Sequence, residues 1–453
     1  MQNNINVLDV PITTKDKNKY SRKFWLMMSA FYMLFIIRNI LHIEFPVVIY
    51  LGWVAIMALV FDDSEIKALV ISFIPLSTGF QFKYAMFICI FVLIIKYYNR
   101  FRINSIAITG IILMVWELLH FGIGTPSFLE FARGFAEIVF IIAVVCLPPS
   151  RKQSISELTR VLALSSTIAF IILLIATVEG RGASIMELLE KGFRFGVSEI
   201  TEEAFVFSYN ANGLGFICNL TITGLLINIY SKNAKIIDYL MIVFLVFIGL
   251  LTVSRTFLLC LAVIVVLYIL LQKRSLFQRA LTVLILGSVA IIMLLLISKY
   301  FPSIIDNYDN RFGAEDVTGG RSYLLKFYNE LILSSPENLF FGIGIQSIAS
   351  KALAITGVNV QVPHNGYQQL IVAWGIPGLV LMVLFVYKII SQARKLSKKT
   401  PLLYYLPLLL LMIGIVAGQF VTSSPCMLAL VFIFEILSNI NSHNEDKKWK
   451  MNK

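Results

Sequence analysis

The chain has 453 residues, of which 58% are hydrophobic and only 14% are charged, and its mean hydropathy is +0.82. A soluble domain carries about a quarter charged residues, so this composition excludes a chain built of soluble domains and indicates lipid as its main solvent. The net charge of +12 is typical of loops held against an anionic cytoplasmic leaflet. Because the basic residues are scattered among loops, we expect no nucleic-acid partner.

Apolar runs along the chain predict an all-α, polytopic integral membrane protein with about 14 transmembrane helices. The predicted spans are 24–41, 45–61, 66–80, 82–96, 103–121, 130–147, 159–178, 208–230, 236–252, 255–271, 279–299, 366–388, 402–420 and 424–440. They form a single transmembrane domain over 24–440, between tails at 1–23 and 441–453. No cleavable signal pattern precedes the first span.

The distribution of Lys and Arg predicts the orientation. If the N-terminus is cytoplasmic and the spans alternate, every inner segment except 62–67 carries at least two basic residues, as the positive-inside bias requires. Both termini are then cytoplasmic, and two long loops, 179–207 and 300–365, lie outside. The second loop contains a predicted amphipathic helix at 322–333, stopped by Pro336, which we expect on the outer membrane surface.

Arginines on the predicted outer side run against this bias and are therefore candidates for function. Arg255 lies at the turn between two spans, and the others lie in the two long outer loops: Arg181, Arg194, Arg311 and Arg321. A guanidinium donates two parallel hydrogen bonds to a phosphate, so we predict a site for a lipid-linked phosphate or pyrophosphate. The alternative is that each arginine contacts lipid headgroups or a nearby carboxylate.

Polar residues at the outer ends of two predicted spans are further candidates. His364 and Asn365 lie where the 300–365 loop re-enters the membrane, and an imidazole there could accept a proton from a sugar hydroxyl. Asn210 and Asn212 lie at the entry to another span and could bind a sugar. The structural alternatives are helix capping or bonding to Asn365 by the histidine, and helix–helix hydrogen bonding by the two asparagines.

Glycines and a proline predict interruptions in the backbone. Gly375, Pro377 and Gly378 are expected to break or kink a span so that backbone groups face a cavity. Gly342 and Gly344 follow no predicted strand, so a turn is favoured over a dinucleotide-binding loop.

We expect no metal and no other cofactor. The five cysteines lie in apolar runs without ligand-like spacing, so neither a disulfide nor a zinc site is predicted. The acidic residues of the outer loops form no compact ligand cluster. A metal-dependent lipid-linked glycosyltransferase would have only Glu44, beside His42, as a candidate in the first outer loop, and a helix-end charge is the simpler interpretation.

Together these motifs resemble the O-antigen ligase/O-antigen polymerase superfamily of bacterial membrane proteins, over roughly residues 205–390. The resemblance rests on four stretches in order: Asn210-Ala211-Asn212 with Gly215, Ser254-Arg255-Thr256, the loop from Gly320-Arg321 to Gly342 and Gly344, and Pro363-His364-Asn365 followed by Trp374 to Leu379. Ala211 stands where the family usually has proline, and Tyr323 or Phe327 stands for the aromatic after the loop arginine.

The resemblance implies glycosyl transfer from an undecaprenyl-pyrophosphate-linked oligosaccharide on the outer face of a bacterial inner membrane. It implies catalytic roles for Arg255, Arg321 and His364. The leading expectation is an O-antigen or capsule polymerase, and the close alternative is an O-antigen ligase acting on lipid A-core. Membrane lipids, a chain-length regulator and a flippase of the same pathway are the implied partners.

A lipid-linked oligosaccharide flippase or ion-coupled exporter is an alternative from another class. Embedded charges such as Glu117, Glu137 and Glu435 keep it open, since chains of such groups can carry protons. That interpretation expects matched repeats in the two halves of the chain. The sequence shows no such repeat, and its notable polar residues gather at the outer boundary.

Overall fold

A computed structural model gives the fold and describes residues 20–76, 80–120, 128–147, 154–182, 184–190, 195–196, 211–272, 275–312, 321–344, 348–396, 400–416 and 424–438. Within these ranges the chain is all-helical with several apolar helices, so the predicted all-α class is confirmed. The helices are α1 (Arg22–Ile40), α2 (Val47–Val60), α3 (Asp63–Ser72), α4 (Phe80–Tyr97), α5 (Ser105–Leu119), α6 (Phe128–Cys146), α7 (Ile155–Arg181), α8 (Ile185–Glu190), α9 (Ala211–Tyr230), α10 (Ile236–Leu251), α11 (Arg255–Leu271), α12 (Leu276–Tyr300), α13 (Pro302–Phe312), α14 (Arg321–Leu333), α15 (Pro336–Phe340), α16 (Ile348–Thr356), α17 (Gly366–Leu396), α18 (Leu406–Val416) and α19 (Ser424–Ser438).

Each predicted span overlaps one of these helices, but their lengths differ. Among the described residues, four helices are long and apolar enough to cross a membrane: α1, α9, α17 and the Ile155–Glu179 part of α7. Seven shorter apolar helices have 10–17 residues. The helical organisation is confirmed, whereas the count of 14 crossings stays a prediction.

Connections between helices gather at two ends of the bundle. Five contacts join the first group: Ser21 Oγ to Glu65 Oε1 (2.7 Å), Arg100 Nη2 to Asp63 Oδ2 (3.2 Å), Arg102 N to Cys146 O (3.1 Å), Arg160 Nε to Asp238 Oδ1 (3.1 Å) and the rings of Tyr230 and Tyr404 (6.4 Å). We call this the Tyr20 end, because Tyr20 lies next to Ser21 at the start of α1. It holds described residues of the connections that the charge pattern predicts to be cytoplasmic, at 62–67, 96–102, 148–160 (from Ser154 onward) and 231–236.

The second group of connections, which we call the His364 end, lies at the other side of the bundle. Its contacts are His42 Nε2 to Glu179 Oε2 (3.2 Å), Phe195 N to Leu251 O (2.8 Å), Tyr308 Oη to Leu250 O (2.8 Å) and Trp116 Nε1 to Trp374 O (2.9 Å). Described residues of three predicted outer segments, 42–44, 179–207 and 300–365, have contacts at this end, as an alternating topology requires. Which end faces the cytoplasm stays a prediction.

Two groups of buried charged side chains are paired between helices. Lys67 of α3 lies 2.8 Å from Glu435 of α19, and both side chains are fully buried. Arg160 donates hydrogen bonds to both carboxylate oxygens of Asp238 and to Glu157 Oε1. Buried charges cost several kcal/mol unless they are paired, so these contacts fix how the helices meet. All five cysteines are buried and free.

Candidate active site at the His364 end

The predicted amphipathic helix is α14, and its apolar face packs against protein. Four of its residues are buried: Leu324, Tyr328, Leu331 and Ile332. Tyr328 Oη donates to Gln361 O (2.8 Å), and Gln368 Nε2 of α17 donates to Leu325 O (2.7 Å). The helix is therefore confirmed, but it lies on α17 and the loop before it, with its polar Lys326 exposed. Pro336 starts the next helix, capped by Ser335.

This packing places Arg321 within electrostatic range of His364. Arg321 is the first residue of α14, and His364 lies two residues before α17. Burial, and then the positive charge of Arg321, lower the pKa of His364 below its ordinary value of 6.5. His364 Nε2 lies 3.3 Å from Gln361 Oε1. At neutral pH a proton-accepting imidazole thus stands beside a guanidinium that can bind an anion.

Asn365, a predicted substrate-binding residue, caps α17. Its Oδ1 accepts hydrogen bonds from Tyr367 N (3.0 Å) and Gln368 N (3.2 Å). An asparagine at this position satisfies backbone donors that the helix leaves unpaired. The cap is therefore made by Asn365 and not by His364, and a substrate contact by Asn365 would fall to its amide nitrogen.

Arg255, the third predicted catalytic residue, is the first residue of α11 and partly exposed. The turn before it includes Val253 at φ 47°, and Ser254 Oγ caps Phe257 N at 3.3 Å. A helix N-terminus adds partial positive charge to that of the guanidinium. Helix α18 packs against both α11 and α17. Arg255, which starts α11, and His364, which precedes α17, therefore belong to two neighbours of one helix.

Asn212 acts between helices in the structure. Its Oδ1 accepts from Ser254 Oγ at 2.9 Å, and about two turns further on, Asn219 Nδ2 donates to Phe257 O at 3.1 Å. A Cβ on Gly215 would lie 2.9 Å from Phe257 Cβ, so α9 and α11 approach closely. This is the helix–helix interpretation of the asparagine, and it makes Asn212 a support for the turn that presents Arg255.

The remaining predicted substrate-binding residues lie outside what the structure describes. This holds for Asn210 and Arg194 as whole residues, and for the side chains of Arg181 in α7 and Arg311 in α13. Their assignment stays a prediction. Among the described residues, no group of three or more His, Cys, Asp or Glu side chains could hold a metal ion.

The predicted break in α17 and the predicted turn are confirmed, but the backbone groups at the break bond to protein and do not face a cavity. Gly375 breaks α17 with φ 66° and ψ −171°, and Gly342 and Gly344 are both left-handed, at φ 74° and 79°. Ile343 N donates to Val372 O (2.8 Å), and Gly344 N donates to Ala373 O (2.7 Å). Carbonyls that the broken helix leaves free are thus taken by the 341–344 segment, which fastens the loop to α17.

Three buried polar residues beside this segment were missed as site residues by the sequence analysis, which noted only Glu117, as an embedded charge. They are Glu117 and His120 at the end of α5, and Lys351 in α16. Lys351 Nζ donates to Ile343 O (2.7 Å), and His120 Nε2 donates to Phe341 O (2.6 Å). A lysine in an apolar helix far along the chain gives no local signal of such a contact.

The fold and site define an all-helical protein with membrane-type apolar helices and a basic, imidazole-containing site where a long loop meets helix ends. Residues 240–383 match the family model described as O-antigen ligase. The match runs from α10 into α17 and includes Arg255, Arg321 and His364. No curated protein matches the chain with significant similarity.

The family match confirms the resemblance to the O-antigen ligase/polymerase superfamily. It indicates a function of the O-antigen ligase or polymerase type, and in general terms an enzyme of glycosyltransferase character. Apolar helices and this family together indicate a membrane protein.

Proposed function

We propose that the protein is a polymerase of lipid-linked polysaccharide repeat units, for O-antigen or capsule. The donor is a glycan on undecaprenyl pyrophosphate, and the acceptor is the terminal sugar hydroxyl of another lipid-linked repeat unit, at the outer face of a bacterial inner membrane. The observation that carries the proposal is the imidazole of His364, whose pKa is lowered by burial and by the nearby charge of Arg321, inside the region that matches the family.

The chemistry follows from the residue types. A sugar on pyrophosphate already carries a good leaving group, so the protein has to orient the reactants and stabilise charge. Arg321 and Arg255 bind the diphosphate and offset the charge that develops as it leaves. His364 accepts the proton of the attacking hydroxyl. The new bond forms at the anomeric carbon while its bond to the pyrophosphate oxygen breaks, so direct attack inverts that centre.

Alanine substitution of each residue tests the proposal. Arg255→Ala, Arg321→Ala and His364→Ala should each lower the transfer rate about 10²–10³-fold, the usual effect of removing one charge-stabilising or proton-accepting group. Polymer length on gels, at matched membrane abundance in a deletion strain, is the readout. The exposed residues Lys326 and His42 provide alanine controls that should give normal chains. Normal chains from all three site variants would overturn the assignment.

An O-antigen ligase is the second candidate, because the matching family model carries that description. Both enzymes take the same kind of donor and differ in the acceptor. The lipid-linked material that accumulates in a deletion strain separates them. Single lipid-linked repeats indicate a polymerase, whereas long chains that are not attached to lipid A-core indicate a ligase.

A further inference from the structure

The break in α17 leaves three consecutive carbonyls to be satisfied from outside the helix. Gly375 leaves the helical conformation, and Pro377 has no N–H to donate to Ala373 O. The carbonyls of Val372, Ala373 and Trp374 accept instead from Ile343 N (2.8 Å), Gly344 N (2.7 Å) and Trp116 Nε1 (2.9 Å). The outer loop and α5 therefore meet α17 at its break.

Side chains hold the loop segment 341–344 in that position from both sides. Lys351 Nζ donates to Ile343 O, and His120 Nε2 donates to Phe341 O. A Cβ on Gly344 would lie 2.8 Å from Lys351 Nζ and 2.9 Å from His120 Cβ, so the segment passes between the two side chains with no room to spare. Phe341 also stacks on Trp116, at 5.8 Å between ring centroids.

Glu117 completes the group. It accepts a hydrogen bond from Trp374 Nε1, the indole next to the break. Burial lowers the pKa of Lys351, and the negative charge of Glu117 opposes that shift. All three polar residues are buried, with exposed fractions of 6% for Glu117, 3% for His120 and 8% for Lys351. Groups buried to this degree cost free energy unless their partners are in place, so their contacts specify one arrangement of the loop.

This arrangement reaches the site through packed helices. The segment 341–344 follows α15, which packs on α17 and on α14. Arg321 begins α14, and His364 immediately precedes the capped start of α17. A loop released from the break would remove the α15 contacts that support α14 on α17, and would thereby loosen the placement of Arg321 relative to His364.

We propose that Glu117, His120 and Lys351 are positioning residues, which clamp the 341–344 segment to the broken helix α17 and thereby set the placement of Arg321 relative to His364. The inference rests on the proposed function, because it gives these residues a role in that same site. None of the three needs to touch the substrate, so their effect passes through Arg321.

The test measures His364 directly. Carbethoxylation of His364 by diethyl pyrocarbonate requires the neutral ring, and peptide mass spectrometry of the purified full-length protein in detergent gives its midpoint pH. We expect the midpoint to move to higher pH in Arg321→Ala, because the opposing charge is gone. We expect a shift in the same direction in Lys351→Met, and a midpoint near that of the wild type in Lys351→Arg, which keeps a cationic donor.

Lys326→Met is the matched control, since it removes an exposed lysine from the same loop, and it should leave the midpoint unchanged. A folded Lys351→Met variant with the wild-type midpoint would overturn the inference and leave the proposed function standing. If Lys351→Met does not fold, His120→Phe, which removes the donor to Phe341 O, decides by the same criterion. An unmoved midpoint in Arg321→Ala would instead remove the pairing on which the proposed function depends.

Discussion

At the scale of single residues, His364 differs from a surface histidine in two ways that favour the same protonation state. Partial burial removes some of the water around the ring, and the guanidinium of Arg321 disfavours a second positive charge nearby. Both lower the pKa of His364, so the ring is neutral at physiological pH. One arginine can thus serve two purposes, because the charge that binds a diphosphate also keeps the neighbouring base ready to accept a proton.

The pH dependence of activity should report this coupling. If neutral His364 accepts the hydroxyl proton, activity falls as the pH drops through its lowered pKa, which lies below 6.5. In Arg321→Ala the pKa of His364 rises, so the residual activity should begin to fall at a higher pH than in the wild type. Arg321→Lys keeps the positive charge, so its activity should fall over the same acidic pH range as that of the wild type. Transfer rates on purified protein, normalised to each variant's maximum, measure the effect, and identical acid limbs in all three proteins would contradict it.

At the scale of elements, the loop around 340–342 and the break in α17 approach each other closely through backbone atoms. A Cβ on Gly375 would lie 2.1 Å from Phe340 O, and one on Gly342 would lie 2.6 Å from Ala373 O. Main-chain atoms cannot rotate away as a side chain can. Because both positions also have positive φ, the break in α17 and the loop that covers it depend on two residues without side chains.

Alanine at these positions separates conformational strain from steric exclusion. Gly357 is also left-handed, at φ 72°, but a Cβ there meets nothing within 4 Å. Gly357→Ala should therefore cost only the strain, about 1–2 kcal/mol, and keep its activity. Gly342→Ala and Gly375→Ala should lower the unfolding temperature further and abolish polymer formation. Thermal unfolding in detergent, together with polymer length, is the measurement. Equal effects at all three glycines would show that the close approach does not matter.

The local sequence pattern predicts the helices and turns but not the contacts between them. The kink at Gly375, the turn at Gly342 and the helix at 322–333 follow from glycine, proline and apolar spacing, and each is present. The predicted span 66–80 is instead a ten-residue helix that ends at Ser72, since Pro75 interrupts it. Lys351 and His120 both contact the 341–344 segment. These contacts depend on how α5 and the loop pack together, and the spacing of apolar residues along the chain does not predict them.

At the scale of the whole molecule, a buried ion pair joins segments far apart in the chain. Lys67 and Glu435 lie on α3 and α19 with both side chains at 0% exposure. Removing one partner leaves a buried charge uncompensated and typically costs about 3–5 kcal/mol, whereas an apolar pair of similar volume is often tolerated. Lys67→Met alone should therefore lower the unfolding temperature in detergent more than Lys67→Met with Glu435→Met. A double variant that is less stable than the single variant would show that the pair itself holds these helices together.

The grouping of connections into two ends gives the last test, because it links fold, orientation and function. Lys326 is exposed in α14 at the His364 end, and Arg102 is exposed at the Tyr20 end. The five native cysteines are buried, so single cysteines introduced at these positions should dominate labelling by a membrane-impermeant maleimide. In spheroplasts, Lys326→Cys should react at once, whereas Arg102→Cys should react only after permeabilisation. The opposite pattern would place Arg321 and His364 in the cytoplasm, away from any repeat unit that has reached the outer leaflet, and the proposed polymerase reaction would have no substrate there.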